Sequence, residues 1–311
     1  MAFEYRLNSG NSTARTIDFL GDKDSFATTL INGLTYSAKV SGSYSGGGTL
    51  ADPNLTLTNA AGQRLLFNDD IRPGVNRDAQ LTFTVNSSGN YGLIVGEQGD
   101  NATGSYRLAL SAGYASNGND VVTGTGYDDA IVGMAGDDRI NGGGGADRLF
   151  GSAGDDLLLG GAGNDLLEGQ AGRDHLRGGD QNDRLIGGSA ADRLVGGTGA
   201  DTFVFNSITD SSRNATDIIS GGDGARAMEG VGVKGGDVID LSGIDANENL
   251  AGNQAFAWSS AGTAGTLYLS ERNGNTLLIG HTDNDGIVDF RLSIDDGTIL
   301  ATQYSSDEFI L

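Results

Sequence analysis

Ten aspartates recur at a strict nine-residue interval: Asp120, Asp129, Asp138, Asp147, Asp156, Asp165, Asp174, Asp183, Asp192 and Asp201. Carboxylates are hard, anionic oxygen donors, and a regular array of them points first to divalent cations. Five residues before each of the last nine stands a glycine: Gly124, Gly133, Gly142, Gly151, Gly160, Gly169, Gly178, Gly187 and Gly196. With that glycine as position 1 of a row, the aspartate is position 6. Position 8 is always apolar: Val122, Ile131, Ile140, Leu149, Leu158, Leu167, Leu176, Leu185, Leu194 and Phe203. Position 4 is glycine at Gly136, Gly145, Gly154, Gly163, Gly172 and Gly199, and is replaced at Tyr127, Gln181 and Ala190.

Other chemistry has less to work with. The chain holds two histidines, His175 and His281, and neither lies in the paired-histidine helix motif of a zinc protease. No G-x-S-x-G nucleophile elbow is present. Carboxylate-pair hydrolysis has acids to draw on, but those of the repeat rows are accounted for by the cation. The expectation is a protein that is not an enzyme.

The elements that must position these aspartates follow from the row itself. Glycines permit positive φ and tight turns. The piece x-U-x, with U the apolar residue, is a minimal strand whose middle side chain points to one face and its neighbours to the other. Two rows make one coil, so row n lies beside row n+2 at the strand spacing of about 4.8 Å. Two aspartate ladders result, Asp120/138/156/174/192 and Asp129/147/165/183/201. Unit charges about 5 Å apart repel by roughly 3 kcal/mol per pair at an effective dielectric near 20. Position 5 offers no counter-charge except Arg173. Oxygen-only ligation of a hard cation answers that repulsion and favours calcium. A flexible Gly/Asp linker would have no reason to keep an apolar residue in every row.

Composition sets the bounds. The 311 residues suffice for two or three domains, and a formal charge of −22 argues against nucleic acid or an anionic membrane as a direct partner. No cysteine is present, so disulfides and thiol chemistry are excluded. No apolar run is long enough for a transmembrane helix, and the N-terminus lacks the basic and apolar regions of a secretory signal peptide.

Residues 1–112 alternate apolar and polar in short runs, as in Leu34–Val40, Leu81–Val85, Tyr91–Val95 and Tyr106–Leu110, with turn residues between them. That pattern predicts an antiparallel β-sandwich or jelly roll. The motifs Gly21-Asp-Lys-Asp24-Ser-Phe26, Asp52-Pro53-Asn-Leu-Thr-Leu57, Asn68-Asp69-Asp70, Ser88-Gly89-Asn-Tyr91 and Gly104-Ser-Tyr106 resemble the bacterial pre-peptidase C-terminal domain. The resemblance implies an accessory module without catalysis. Asp22, Asp24, Asp52, Asp69 and Asp70 are read as turn and capping carboxylates, with a calcium site as the alternative.

The rows, written G-G-x-G-x-D-x-U-x, resemble the hemolysin-type RTX calcium-binding repeat, which implies a central parallel β-roll over 113–205. The resemblance implies that each ion sits between rows n and n+2, held by main-chain carbonyls and by the position-6 carboxylates. The earlier row gives positions 2, 4 and 6, and the later row positions 1, 3 and 6. The carbonyl donors then include Gly133, Gly142, Gly151, Gly160, Gly169 and Gly178 at position 1, Gly145, Gly154, Gly163 and Gly172 at position 4, and Gly143 and Gly161 at position 2. Position 3 adds Ala135, Gly144, Ala153, Ala162, Ala171 and Asp180. About five to eight Ca²⁺ ions are expected, and Tyr127, Gln181 and Ala190 adopt the glycine geometry of their rows at a cost.

Past 205 the nonapeptide stops and period-2 strands return, separated by a Gly-rich loop at 220–236. Gly199–Phe205, Asp217-Ile-Ile, Asp237–Asn247, Asn253–Phe256, His281–Phe290 and the ending Asp307-Glu308-Phe309-Ile310-Leu311 resemble the serralysin C-terminal domain. This implies a β-rich cap over 206–311 carrying a type I secretion signal, and hence a secreted protein whose partners are calcium and the export apparatus. Within it, His281–Asp289 partly matches an EF-hand loop through Asp283, Asp285 and Gly286, but is read as a polar hairpin turn.

The whole chain thus reads as all-β in three domains and as a non-enzymatic calcium-binding protein. The alternative is an adhesive or glycan-binding module, with the N-terminal sandwich on a cell-surface glycan, or an accessory part of a secreted hydrolase. One further expectation concerns position 9. There, Val132, Phe150, Glu168, Ile186 and Val204 form an apolar stripe that water would not favour.

Overall fold

The computed structural model describes residues 4–18, 22–43, 45–69, 78–97, 103–222, 226–228, 236–247, 254–259, 263–296 and 301–311. Gly21, Asp70, Asn253 and most of the 220–236 loop lie outside them. Two compact units emerge, one of Met1–Ala115 with Asp128–Val132 and one of Ser116–Tyr127 with Gly133–Leu311.

The first unit contains β1 (Tyr5–Arg6), β2 (Ser12–Ile17), β3 (Asp24–Leu30), β4 (Thr35–Ser41), β5 (Pro53–Asn59), β6 (Arg64–Asn68), β7 (Ala79–Thr84), β8 (Gly89–Glu97), β9 (Gly104–Leu110) and β10 (Gly113–Tyr114). One sheet runs β1-β3-β8-β5-β6. In the other, β4 pairs antiparallel with β9, β7 and β10, and β9 with β2. The alternation seen in the sequence is the reason: Phe26, Leu55, Leu93 and Val95 of one sheet and Tyr36, Ala38, Val40 and Leu108 of the other are buried, while most of the residues between them are only half-buried.

The second unit is a parallel roll. Its strands are β11 (Val121–Thr123), β12 (Ala130–Ala135, shared with the first unit), β13 (Arg139–Gly144), β14 (Arg148–Ala153), β15 (Leu157–Ala162), β16 (Leu166–Ala171), β17 (His175–Asp180), β18 (Arg184–Ser189), β19 (Arg193–Thr198) and β20 (Thr202–Val204). Each pairs with the strand two ahead, as in Ile140↔Leu158↔Leu176↔Leu194 and Leu149↔Leu167↔Leu185↔Phe203. The 18-residue coil expected from the row is therefore present. Full strands run six residues rather than three, because pairing resumes after the position-1 glycine.

The roll does not stop where the nonapeptide does. β21 (Asp217–Ser220) stacks on β19, and β22 (Val238–Asp240) stacks on β20. After β23 (Ala257–Trp258), β24 (Thr266–Arg272) and β25 (Asn275–His281), the strands β26 (Phe290–Asp295) and β27 (Phe309–Ile310) extend the same two stacks. The interior columns accordingly continue through Ile219 and Ile294 on one side and through Ile239 and Phe309 on the other, all buried. Ile287 is exposed in the hairpin turn expected over 281–289, where the Asp283 and Asp285 side chains cap backbone N–H groups. Along the position-9 stripe, Val204 is buried, while Val132, Phe150, Glu168 and Ile186 are half-buried rather than exposed.

Candidate metal centre

Each turn of the roll places its aspartate through the backbone of the coil before it. The N–H of Asp120 donates to Asp138 Oδ1 at 2.8 Å, and the same 2.8 Å bond joins Asp138 to Asp156, Asp156 to Asp174 and Asp174 to Asp192. On the other side the chain runs Asp147, Asp165, Asp183, Asp201, again at 2.8 Å. Neighbouring carboxylates are therefore separated by an amide dipole aimed at the next Oδ1, which offsets part of the repulsion expected between bare charges.

Two members of these ladders escaped the sequence reading. The N–H of Asp192 donates to Asp217 Oδ1 at 2.9 Å, and that of Asp201 to Asp237 Oδ1 at 2.8 Å. Both aspartates are buried. Asp217 lies 25 residues beyond its partner, out of phase with the nine-residue period, and Asp237 lies 36 beyond, in phase but past a stretch without the repeat. The available signal was an aspartate directly before an apolar strand, Asp217-Ile-Ile and Asp237-Val-Ile, which repeats positions 6 to 8 of a row.

The second carboxylate oxygen carries the chemistry. Among the described residues, Oδ2 of Asp138, Asp156, Asp174, Asp183, Asp192 and Asp217 is buried and accepts no hydrogen bond. Burial drives these carboxyls upward: Asp156 to about 6, Asp174 and Asp192 to about 7, Asp183 to about 8 and Asp217 to about 9. The accepted backbone bonds pull the other way, and neighbouring aspartates add to the rise. An ionised oxygen in that setting needs a cation or a proton.

The position-1 glycine shows what surrounds it. A Cβ on Gly133 would lie 2.3 Å from Asp138 Oδ2 and 2.7 Å from the Gly151 carbonyl oxygen. On Gly169 the same atom would meet Asp174 Oδ2 at 2.3 Å and the Gly187 carbonyl at 2.6 Å. Position 1 is glycine for want of space, since any side chain would fill an oxygen-lined cradle. Carboxylate and carbonyl oxygens, without nitrogen or sulfur, suit a hard divalent cation and fit calcium.

Positions 2 and 4 are glycine for a different reason, a left-handed backbone. Met134, Ser152 and Gln170 hold that conformation at position 2, and Gln181 (φ 77°) and Ala190 (φ 89°) hold it at position 4. The Gln181 and Ala190 rows therefore keep the common geometry in spite of their residues, and their Asp183 and Asp192 are buried like the rest. Tyr127 does not enter the left-handed region and stands exposed. At position 3 the carbonyls of Ala153, Ala162, Ala171 and Asp180 each accept an N–H from a position-4 glycine, leaving one lone pair free for a second contact. Gly143, Gly144, Gly160, Gly161 and Ala135 occupy the matching turn positions, and Asp129 is buried in the first unit.

Position 5 forms an outer ladder that sequence reading treated only as missing counter-charge. Asp137 N–H donates to Asn119 Oδ1, Asp155 N–H to Asp137 Oδ1 and Arg173 N–H to Asp155 Oδ1, at 3.0, 3.0 and 2.8 Å. Arg173 also pairs with Asp155 at 2.8 Å in the open, where the interaction is screened.

The other acidic candidates are engaged locally. Asp24 is buried and accepts the Tyr106 hydroxyl, and Asp22 accepts the N–H groups of Asp18 and Lys23. Asp283, Asp285 and Asp289 come within 4.8 Å of one another, but their oxygens accept N–H groups of Asp285, Ile287 and Thr282. His175 is exposed on β17, and His281 is buried with Nδ1 at 2.8 Å from the Ile287 carbonyl.

Comparison with known proteins places this geometry. Residues 114–149, 142–176 and 168–203 match the RTX calcium-binding nonapeptide repeat family. Among solved structures, the pre-peptidase C-terminal domain of a Bacillus anthracis collagenase is similar at 16% identity and a TM-score of 0.29, over 36% of this chain and 98% of that one. The AlgE6R3 subunit of the Azotobacter vinelandii mannuronan C5-epimerase is similar at 26% identity and a TM-score of 0.30, over 63% of this chain and 80% of that one. No curated protein matches the chain. The central segment is thus a run of RTX calcium-binding repeats folded as a β-roll.

Proposed function

We propose that this chain is a non-enzymatic extracellular protein exported by type I secretion, whose roll folds when calcium fills the cradles between coils. The observation that carries this reading is the pair of aspartate ladders, in which Oδ2 of Asp138, Asp156, Asp174, Asp183, Asp192 and Asp217 is buried with no hydrogen bond among the described residues. Calcium would be held by Oδ2 of the position-6 aspartates and by turn carbonyls of adjacent coils, from Gly133 to Asp201. It supplies the positive charge that lets these carboxylates stay ionised inside the fold. The chain's own part is to present oxygen at fixed spacing, keep side chains out of the cradle and stack the leucine columns beneath it.

The domain reading is 1–112, 113–205 and 206–311, with the last serving as a serralysin-like cap that bears the secretion signal. Export favours a chain that is unfolded at cytosolic calcium and folds at roughly 10⁻⁴–10⁻³ M outside. Equilibrium dialysis of the full chain against calcium tests the count: five to eight ions are expected, and none or one would contradict the reading.

A further inference from the structure

The chain's single tryptophan stands where the two stacks of the second unit end. Trp258 lies on β23, the last strand of one stack, and Phe309 on β27, the last strand of the other. Their ring centroids are 4.9 Å apart with the planes at 75°, an edge-to-face contact. Tyr304 adds a third ring, 6.2 Å from Phe309 and inclined at 49°. Phe309 is buried and Tyr304 half-buried, whereas Trp258 is 41% exposed. With Leu269, Ser305 and Ser306, the three rings line a hollow of about 190 Å³. That is smaller than the roughly 300–1,000 Å³ of sites for drug-sized ligands, and suits one compact group.

Carboxylates stand behind two of the lining residues. The Tyr304 hydroxyl donates to Asp296 Oδ2 at 2.6 Å. The Ser305 N–H and hydroxyl donate to Glu308 Oε2 at 2.7 and 2.9 Å, closing a capping box on the 3₁₀ turn Ser306–Glu308 that fixes this wall. Asp296 and Glu308 are both buried, and Oδ1 of Asp296 has no hydrogen bond among the described residues. Burial, then the bond to Asp296, holds the Tyr304 hydroxyl far above the usual tyrosine range, and the charges of Asp296, Glu271 and Glu308 push the same way. Tyr304 therefore stays a donor to a carboxylate, which polarises its ring toward negative. Arg272, the one cationic residue of β24, is three positions from Leu269, hence on the opposite face of the strand, where it lines a different hollow.

We propose that this hollow binds a methylated ammonium cation, such as the head of choline, walled by Trp258, Tyr304 and Phe309 with Asp296 and Glu308 behind them. Ring faces attract a cation within about 6 Å of their centroids, most strongly for tryptophan. A quaternary ammonium donates no hydrogen bond, so rings satisfy it. A lysine ammonium is strongly hydrated and calcium needs several oxygen ligands, which the rings do not offer. An anion would face the two buried carboxylates. A sugar would want one flat platform, whereas these rings form a corner that fits a rounded head. Such binding goes beyond the proposed calcium-dependent folding and needs only a folded chain.

Trp258 is its own reporter, since no other tryptophan contributes emission. The calcium-loaded full chain, titrated with choline chloride at constant ionic strength, should show a saturable change in tryptophan fluorescence. The neutral carbon isostere of choline, with tert-butyl in place of trimethylammonium, should bind at least tenfold more weakly. By calorimetry, Trp258→Leu should lose at least tenfold in choline affinity and Asp296→Asn at least threefold, while Tyr114→Leu, in the first unit, stays within twofold. Circular dichroism of each variant against calcium separates loss of the hollow from loss of the fold. Retention on phosphatidylcholine vesicles would assign the cation to a lipid head group, and choline binding without retention would assign a free solute; either supports the site. No saturable response to choline, equal binding of the isostere, or a folded Trp258→Leu or Asp296→Asn chain that binds like wild type would overturn it.

Discussion

At the scale of single residues, the two kinds of glycine should respond differently to substitution. A methyl at Gly151 would come within 2.2 Å of Asp156 Oδ2, so Gly151→Ala is expected to cost about 1–3 kcal/mol and to raise the calcium midpoint of its coil. At Gln181 and Ala190 the strain lies in a left-handed backbone held by a residue with a Cβ. Replacing either with glycine should stabilise the calcium-bound roll by about 1 kcal/mol. Urea unfolding in saturating calcium measures both, and a destabilising Ala190→Gly would show that φ is not what limits that row.

At the scale of the ladder, the aspartates titrate as a set. Their folded values, from about 6 for Asp156 to about 9 for Asp217, lie above the ordinary value of 3.8. The calcium-free fold therefore binds more protons than the unfolded chain, and their contribution to its stability is full below about pH 4. It is lost as pH rises through 6 to 9, the reverse of a salt-bridged aspartate. In chelator, β-structure should increase on acidification from pH 8 to pH 5. In calcium the sign inverts, because ions need the ionised form, and the calcium midpoint should rise over the same range. Circular dichroism at two pH values checks both, and a chelated roll that gains structure with rising pH would contradict the assignment. The ladder also ends outside the repeat. A chain truncated after Phe205 lacks Asp217 and Asp237 as acceptors for the Asp192 and Asp201 N–H groups. It is expected to need several-fold more calcium to fold than the full chain.

At the scale of the whole molecule, the parts written in a strict period were legible and the parts set by three-dimensional return were not. A fixed row of nine residues dictates the coil of 18, the two aspartate ladders and the leucine columns, since a one-residue slip would turn Leu158 or Leu176 outward. The alternation in Leu34–Val40 likewise foretells β4, whose Tyr36, Ala38 and Val40 are buried. Asp217 and Asp237 were hidden because loops of different length bring them back to the stack. The six-residue strands were hidden because glycine suggests a turn, whereas backbone pairing such as Gly143↔Gly161 needs no side chain.

The central claim is that calcium assembles this roll. One apolar residue per row is too little burial to order a chain this rich in glycine, and each ion joins two coils, so filling should spread along the stack. Linked sites stabilise the folded form by about 1.4 kcal/mol per ion at ten times Kd. Far-ultraviolet circular dichroism of the full chain at neutral pH, titrated with calcium from chelator, is the most direct measurement. The account expects the roll to pass from coil to β with a Hill coefficient above one. A roll already β-structured in chelator, or one that fills without cooperativity, would contradict it.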